Sequence, residues 1–374
     1  MSAKRANGEG SIYRRKDGRW AASLSLGNGR RATLYAKTRQ EAAARLTAAL
    51  HNQQLGIPPP DRSQTVGQYL TNWIEGSIRP SVRARTHESY ALNVRRLVPH
   101  LGHYRLGALT PVAIENTYGA LLQSGLSRRS VEQAHAVLHR ALNQAVKWGL
   151  LGRNPADAVN VPRPERREMR TLDEKQVQRL FEATAGHRLR GLWVLLVTTG
   201  LRLGEALGLC WDDIDQTAGR LVVRRSLQRQ REAGLVFVEP KSAKSRRTVH
   251  LAESTVAVLR EQRRQQLGER LSAGPAWQDQ GLVFCREDGR PLEPSSVTEH
   301  LHRALKAADL PQVRVHDLRH TAATLLLARG VHPKVVQELL GHSTISLTLD
   351  IYSHVTPALH AEVAAHMDAL FGAR

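Results

Sequence analysis

The sequence predicts a mainly α protein with small β elements, an α+β chain in three parts. These are a small three-stranded sheet plus helix (residues 1–60), a four-helix domain (63–150), and a mostly helical domain with a β insert (171–374). Three observations carry this reading. Strand-length runs divided by glycine turns come first, ahead of a single helical stretch. Four stretches with helical apolar spacing follow. Two proline-bearing segments, 55–60 and 151–170, read as linkers between these parts.

The elements follow in order. Residues 11–15 reach a hairpin turn at Lys16-Asp17-Gly18, and a strand-like run spans 20–26. Gly27-Asn28-Gly29 turns into a third strand over 30–35, and residues 40–54 read as a helix with Ala44, Leu46 and Leu50 apolar. Helices are expected over 65–74, 86–97, 111–124 and 130–148. Thr86 is read as the N-cap of the second, Thr110-Pro111 as a cap with proline at the first helical position, and Ser127 or Ser130 as the cap of the last. The strand-rich insert falls between Gly219 and Leu251.

Charge gives the first functional indication. The 374 residues carry a formal net charge of +20, with 54 Lys/Arg against 34 Asp/Glu. The first 60 residues alone hold eleven Lys/Arg against three Asp/Glu, a balance of +8. Such an excess calls for a polyanion, either nucleic acid or an acidic membrane surface. The chain shows no polybasic tail, no amphipathic anchor and no apolar run approaching the ~20 residues of a membrane span, so nucleic acid is favoured and a membrane is not expected. The N-terminus lacks the apolar stretch of a signal peptide, and a cytoplasmic protein associated with nucleic acid is expected. Cys210 and Cys285 lie in apolar contexts and read as two buried thiols rather than a disulfide. No Cys/His cluster has zinc-ligand spacing, and neither a metal nor a cofactor is expected.

Several polar residues sit at breaks between apolar elements. Arg202, in Thr199-Gly200-Leu201-Arg202-Leu203-Gly204-Glu205, follows an apolar helix ending at Gly200 and precedes a new helix near Leu203; a rigid arginine there suits bidentate phosphate contact. In His316-Asp317-Leu318-Arg319-His320, Asp317 is read as the N-cap of a helix over 318–328, which puts Arg319 in the first turn and His316 just ahead of the cap. Pro333 opens a short helix that Gly341 ends, and His342 emerges directly after it. Tyr352 lies ten residues further on. Residues 239–249 form a basic hairpin with 235–238 and 248–251 as its strands. Each feature alone is commonly a surface cation, a capped helix, a solvated hairpin tip or a half-buried tyrosine.

Taken in this order and at these spacings, the set resembles the tyrosine recombinase (phage integrase) family, of the three-domain integrase type. Arg-Leu-Gly-Glu, His-Asp-Leu-Arg-His-Thr, Leu-Gly-His-Ser and Asp-Ile-Tyr-Ser-His carry the resemblance over about residues 170–360. It implies a catalytic domain over 171–374, in which Arg202 and Arg319 clamp the scissile phosphate, His316 and His342 contact it, Tyr352 is the nucleophile and Glu205 supports the first arginine. The family's hairpin lysine falls on Lys241 or Lys244, with Lys241 preferred because it directly follows the first strand. More loosely, residues 1–60 resemble an arm-site DNA-binding domain and 63–150 a core-binding domain. Arg14, Arg15, Lys16, Arg30 and Arg31 are then candidates for contact in a major groove.

The resemblance further implies a site-specific recombinase that cleaves and rejoins double-stranded DNA through a 3′-phosphotyrosine, without metal or ATP, to integrate or excise a mobile element. The expected partners are core and arm attachment sites, a homotetramer on DNA with residues 357–371 reaching a neighbour, and an excisionase or DNA-bending accessory protein. A type IB topoisomerase shares this chemistry, and an architectural DNA-binding protein could keep such a fold without catalysis. The basic N-terminal module and the presence of every catalytic residue type favour the recombinase.

Overall fold

A strand needs partners, and the first strand of the chain obtains one through a tight turn. The computed structural model describes residues 10–25, 31–54, 63–165, 169–239, 246–341, 344, 349 and 371. β1 (Ser11–Arg14), β2 (Trp20–Ser25) and β3 (Arg31–Ala36) form an antiparallel sheet in that order. Gly18, at φ +82°, allows the first turn to close, with the N–H of Arg15 donating to the carbonyl of Arg19 at 2.8 Å. Strand alternation puts Ile12, Ala22, Leu24, Leu34 and Ala36 on one face, where they pack on Ala42 and Leu46 of α1 (Arg39–Gln54). The other face carries Tyr13, Ser23, Arg31 and Tyr35.

The chain divides into two compact units, Met1–Arg166 and Arg167–Arg374. Besides the sheet module, the first unit contains α2 (Val66–Trp73), α3 (Ala84–Leu101), α4 (Pro111–Gln123) and α5 (Arg128–Lys147), which share a second apolar core including Trp73, Leu97, Ile114, Tyr118 and Leu138. Thr65, Thr110 and Ser127 cap α2, α4 and α5, each side chain accepting a backbone N–H. Thr86 does not cap α3. The helix begins after Arg83, and the N–H of Thr86 donates to the Arg83 carbonyl at 2.8 Å, so Thr86 is its third residue.

In the second unit, α6 (Glu174–Ala183), α7 (Arg190–Thr199) and α8 (Leu203–Leu207) precede the β insert, and α9 (Glu253–Ala273), α10 (Pro294–Ala307), α11 (Val315–Ala328) and α12 (Pro333–Leu340) follow it. α7 is apolar nearly all round, as its burial between α9 and α11 requires. The insert holds β4 (Ile214–Asp215), β5 (Arg220–Val222), β6 (Ser226–Gln230), β7 (Gly234–Val238) and β8 (Thr248–His250). Its pairing corrects the expected hairpin. β7 pairs with β6, while β8 pairs with β5 in a sheet ordered β4-β5-β8, so the runs flanking the basic segment belong to different sheets. Both runs read as strands, but neither carries within itself the identity of its partner. Cys210 and Cys285 are buried free thiols in one small cluster with Leu282. Among the described residues no helix is long and apolar enough to cross a membrane.

Candidate active site

The site is organised by two glycine-terminated helices. α7 ends at Gly200 with φ +63°, and α12 ends at Gly341 with φ +67°, the left-handed conformation that closes a helix most readily at glycine. Gly200 is also needed for space, because a Cβ there would stand 2.2 Å from Cδ2 of Leu340. Two residues beyond Gly200, Arg202 takes the N-cap position of α8. Glu205, on the first turn of that helix, reaches back. Its carboxylate accepts the backbone N–H of Arg202 at 3.1 Å and Nη1 of the same residue at 2.8 Å. Nη2 of Arg202 donates to the Gly341 carbonyl at 3.3 Å.

Arg319 comes from α11 and is 2% exposed. Its Nη1 donates to the Gly200 carbonyl at 2.7 Å, while Nη2 has no hydrogen-bond partner among the described residues. Burial first, then the charge of Arg202, pushes the Arg319 guanidinium down to about 9. It is still charged at neutral pH. The direction reflects a local excess of positive charge, three guanidiniums (Arg202, Arg247, Arg319) against the Glu205 carboxylate, which an anion would relieve.

The start of α11 differs from the expected one. Arg314 is the N-cap, and Asp317 is the third helical residue, accepting the Arg314 backbone N–H at 2.9 Å and its guanidinium at 2.7 and 2.9 Å. Arg319 therefore lies one turn deeper than the free N–H groups, and His316 occupies the first turn instead. His316 remains exposed by area, and its ring meets that of His320 edge-on at 5.0 Å. Burial of its inner side, then the charges of His320 and Arg319, pushes its imidazolium down to about 4, so the ring is neutral at physiological pH.

Arg202, Glu205, His316 and Arg319 are thus brought together by α7, α8 and α11. Lys241, Lys244, His342 and Tyr352 lie outside the described residues, as does Arg30. In the first sheet, Arg14, Arg15 and Lys16 gather at the β1–β2 turn, with Arg15 5.0 Å over the Tyr35 ring. Arg31 stands at the opposite end of β3, paired with Ser25. Among the described residues no group of three His, Cys, Asp or Glu side chains could hold a metal ion.

Sequence reading missed Arg247. It precedes β8, its side chain is 8% exposed, and its Nη2 donates to Glu205 at 2.9 Å while Nε donates to the Leu339 carbonyl at 2.9 Å. The signal was available in strand alternation: Val249 is buried between exposed Thr248 and His250, so the residue two before it shares its inward face.

Burial raises the Glu205 carboxyl, but hydrogen bonding and charge from Arg247, then the charge of Arg202, outweigh it and hold the group below its usual range. Glu205→Gln should therefore lower stability by about 3 kcal/mol, near the low end for breaking a buried pair, and the melting temperature by roughly 10 °C. A folded-state pKa below 4.5 means that this contribution is complete above pH 4.5 and is lost as pH falls through the depressed value. Melting curves of the two proteins should converge in acid; a gap that stays constant would show that ionisation of Glu205 is not its source.

Comparison with known proteins gives the family of the chain. The phage integrase family model matches residues 170–358. A protein described as tyrosine recombinase XerC-like from Caldanaerobacter subterraneus subsp. tengcongensis is 32% identical over 360 residues, covering 91% of this chain and 92% of its own. Among solved structures, the integrase of transposon Tn1549 in complex with transposon right end DNA aligns with a TM-score of 0.70 at 22% identity, over 80% of this chain and 99% of that one. A lambda integrase tetramer bound to a Holliday junction aligns at 0.59 and 20% identity, over 93% and 96%. These matches in sequence extend beyond the matched domain to nearly the whole chain, and the chain belongs to the phage integrase family, the tyrosine recombinases, which are enzymes of site-specific recombination.

Proposed function

We propose that this protein integrates or excises a mobile element, cutting and rejoining DNA through a 3′-phosphotyrosine bond to Tyr352. The observation that carries the reading is the convergence of Arg202 and a buried Arg319 whose Nη2 has no partner among the described residues, both fixed by backbone carbonyls at helix ends. A phosphodiester gains negative charge on its equatorial oxygens as a nucleophile attacks, and two preorganised guanidiniums stabilise that charge where it develops. The tyrosine oxygen forms a bond to phosphorus while the bond from phosphorus to the 5′ oxygen breaks. The phenol, with a pKa near ~10, must give up its proton, and a neutral His316 can take it. The leaving 5′ oxygen takes a proton from a lysine of the basic segment, Lys241 in preference to Lys244. His342, which follows Gly341 directly in the sequence, is assigned a further phosphate contact. The covalent bond conserves the energy of the broken one, so rejoining is the reverse reaction and draws on no ATP.

The test is a suicide substrate carrying a nick beside the crossover site, incubated with the protein in EDTA. Because side-chain cations supply the charge, a covalent protein–DNA adduct is expected at a rate within about twofold of that with Mg²⁺. No adduct under either condition would reject the function, and an adduct only with a divalent ion would reject the clamp.

The three-stranded module is assigned to a second DNA site, apart from the crossover site, and the four-helix region to the core site. Arg31, Tyr13 and Tyr35 share the face of the sheet left open by α1, a surface suited to a groove. Deleting residues 1–60 should leave cleavage of a short core site within about threefold and remove footprints at the outer site, whose occupancy in the full chain falls steeply with salt. Identical footprints from both proteins would refute separate readers. The assembly is proposed to be a homotetramer on DNA, assisted by an excisionase or DNA-bending protein.

A further inference from the structure

Arg247 has no role in the chemistry just described, yet it is tied to Glu205 and to the end of α12. Its guanidinium is a branched junction. Nη2 and Nη1 donate to the two oxygens of Glu205 at 2.9 and 3.4 Å, and Nε donates to the Leu339 carbonyl at 2.9 Å. Glu205 in turn grips Arg202 through both backbone and side chain. Leu339 lies two residues before the Gly341 carbonyl that receives Arg202, at the end of α12 from which His342 departs. A Cβ at Gly341 would stand 3.2 Å from Nη1 of Arg247, so the helix end rests against the guanidinium. Arg247 also begins the return of the chain from the basic segment, where its carbonyl accepts the N–H of Val223 at 3.0 Å and anchors β8.

Neither partner explains the arrangement by itself. Glu205 already has a charge partner in Arg202, and one ion pair would suffice to satisfy it. Arg202 is 41% exposed along its side chain, however, whereas Arg247 and Glu205 are 8% and 7% exposed. An exposed arginine paired with a mobile carboxylate holds its geometry poorly, because solvent competes for both groups. A buried arginine with three fixed acceptors removes that freedom from the carboxylate, and so from the arginine that the carboxylate aligns.

From this geometry we infer that Arg247 is a positioning residue for phosphate transfer. It locks Glu205 and the C-terminal end of α12 in one frame, so that Arg202, held by both Glu205 and the Gly341 carbonyl, is presented in a fixed orientation. This rests on the phosphotyrosine reading above. Its effect is assigned to pass through Glu205 and the Leu339 carbonyl rather than through contact with the reacting atoms.

The experiment compares full-length wild type, Arg247→Lys, Arg247→Met, Glu205→Gln and the Arg247→Met/Glu205→Gln double variant. Each is assayed well below its own melting temperature, for binding to core-site DNA and for single-turnover adduct formation at saturating protein. Arg247→Met should bind DNA as tightly as wild type while its saturated rate falls about 10²-fold, the size expected of a displaced catalytic group. Arg247→Lys, which keeps a cation against Glu205, should recover part of that loss. The double variant should lose far less than the product of the single losses, because the two residues act in one chain. Normal rates in both Arg247 variants, a loss confined to DNA affinity, or multiplicative losses would each overturn the inference. If Arg247→Met does not fold, Arg247→Lys carries the test through its rate at unchanged affinity. Absence of adduct from wild type would instead reject the underlying function.

Discussion

Tyr352→Phe is expected to abolish the covalent adduct while leaving DNA binding intact. Removing a nucleophile that no other group replaces costs on the order of 10⁵-fold or more, which puts the adduct below detection. The loss in binding is confined to one hydroxyl, worth about 1 kcal/mol, or roughly fivefold in affinity. The assignment has support beyond the motif. Of the seven tyrosines, Tyr352 is the only one after position 118, and thus the only one within residues 170–358. The others belong to the first unit, where Tyr69 and Tyr118 are buried and burial pushes their hydroxyls up, away from easy ionisation. The check is denaturing electrophoresis of protein trapped on a suicide substrate, with a gel-shift titration alongside. An adduct formed by the phenylalanine variant would move the nucleophile elsewhere.

The parts of this molecule that were legible in its sequence are those specified locally. The Gly18 turn, Thr110-Pro111 and the Gly200 and Gly341 helix ends are decided by a few adjacent residues, and they stand where expected, while the Gly27-Asn28-Gly29 turn lies outside the described residues. Two helix starts were read three residues late for a common reason. Thr86 and Asp317 each have the composition of an N-cap but occupy the third helical position, behind Arg83 and Arg314. A side chain at that position can reach back to the cap N–H, as Asp317 does, so the same residue types mark both sites. Long-range pairing was not legible at all. Nothing in residues 234–250 says that β7 joins β6 and β8 joins β5, and the Arg247–Glu205 pair closes a loop of 42 residues. Arg202 and Arg319 were singled out because motif order recorded their spacing; Arg247, which pairs with Glu205, lay outside the motifs.

Arg319 offers the second large effect, and its sign on stability separates chemistry from folding. The side chain is 2% exposed, with one guanidinium nitrogen lacking a partner among the described residues and two further arginines nearby. Burying such a cation is costly to the fold, since a buried charge needs both pairing and hydrogen bonds. Its retention makes sense if the DNA phosphate completes the set. Arg319→Ala should then reduce single-turnover cleavage by about 10²–10³-fold, or on the order of 3–4 kcal/mol of transition-state stabilisation. Arg319→Lys should recover little, because an ammonium cannot reproduce the planar fork that spans two phosphate oxygens while reaching the Gly200 carbonyl. Melting temperature in the absence of DNA should be unchanged or higher in Arg319→Ala, as the cavity left behind is offset by relief of the repulsion. If phosphate is what the buried cation meets, the stabilisation that DNA gives the wild type against heat should shrink in the variant. Loss of cleavage together with an equal loss of thermal stability would make Arg319 a structural residue, and normal cleavage by Arg319→Ala would dismantle the clamp.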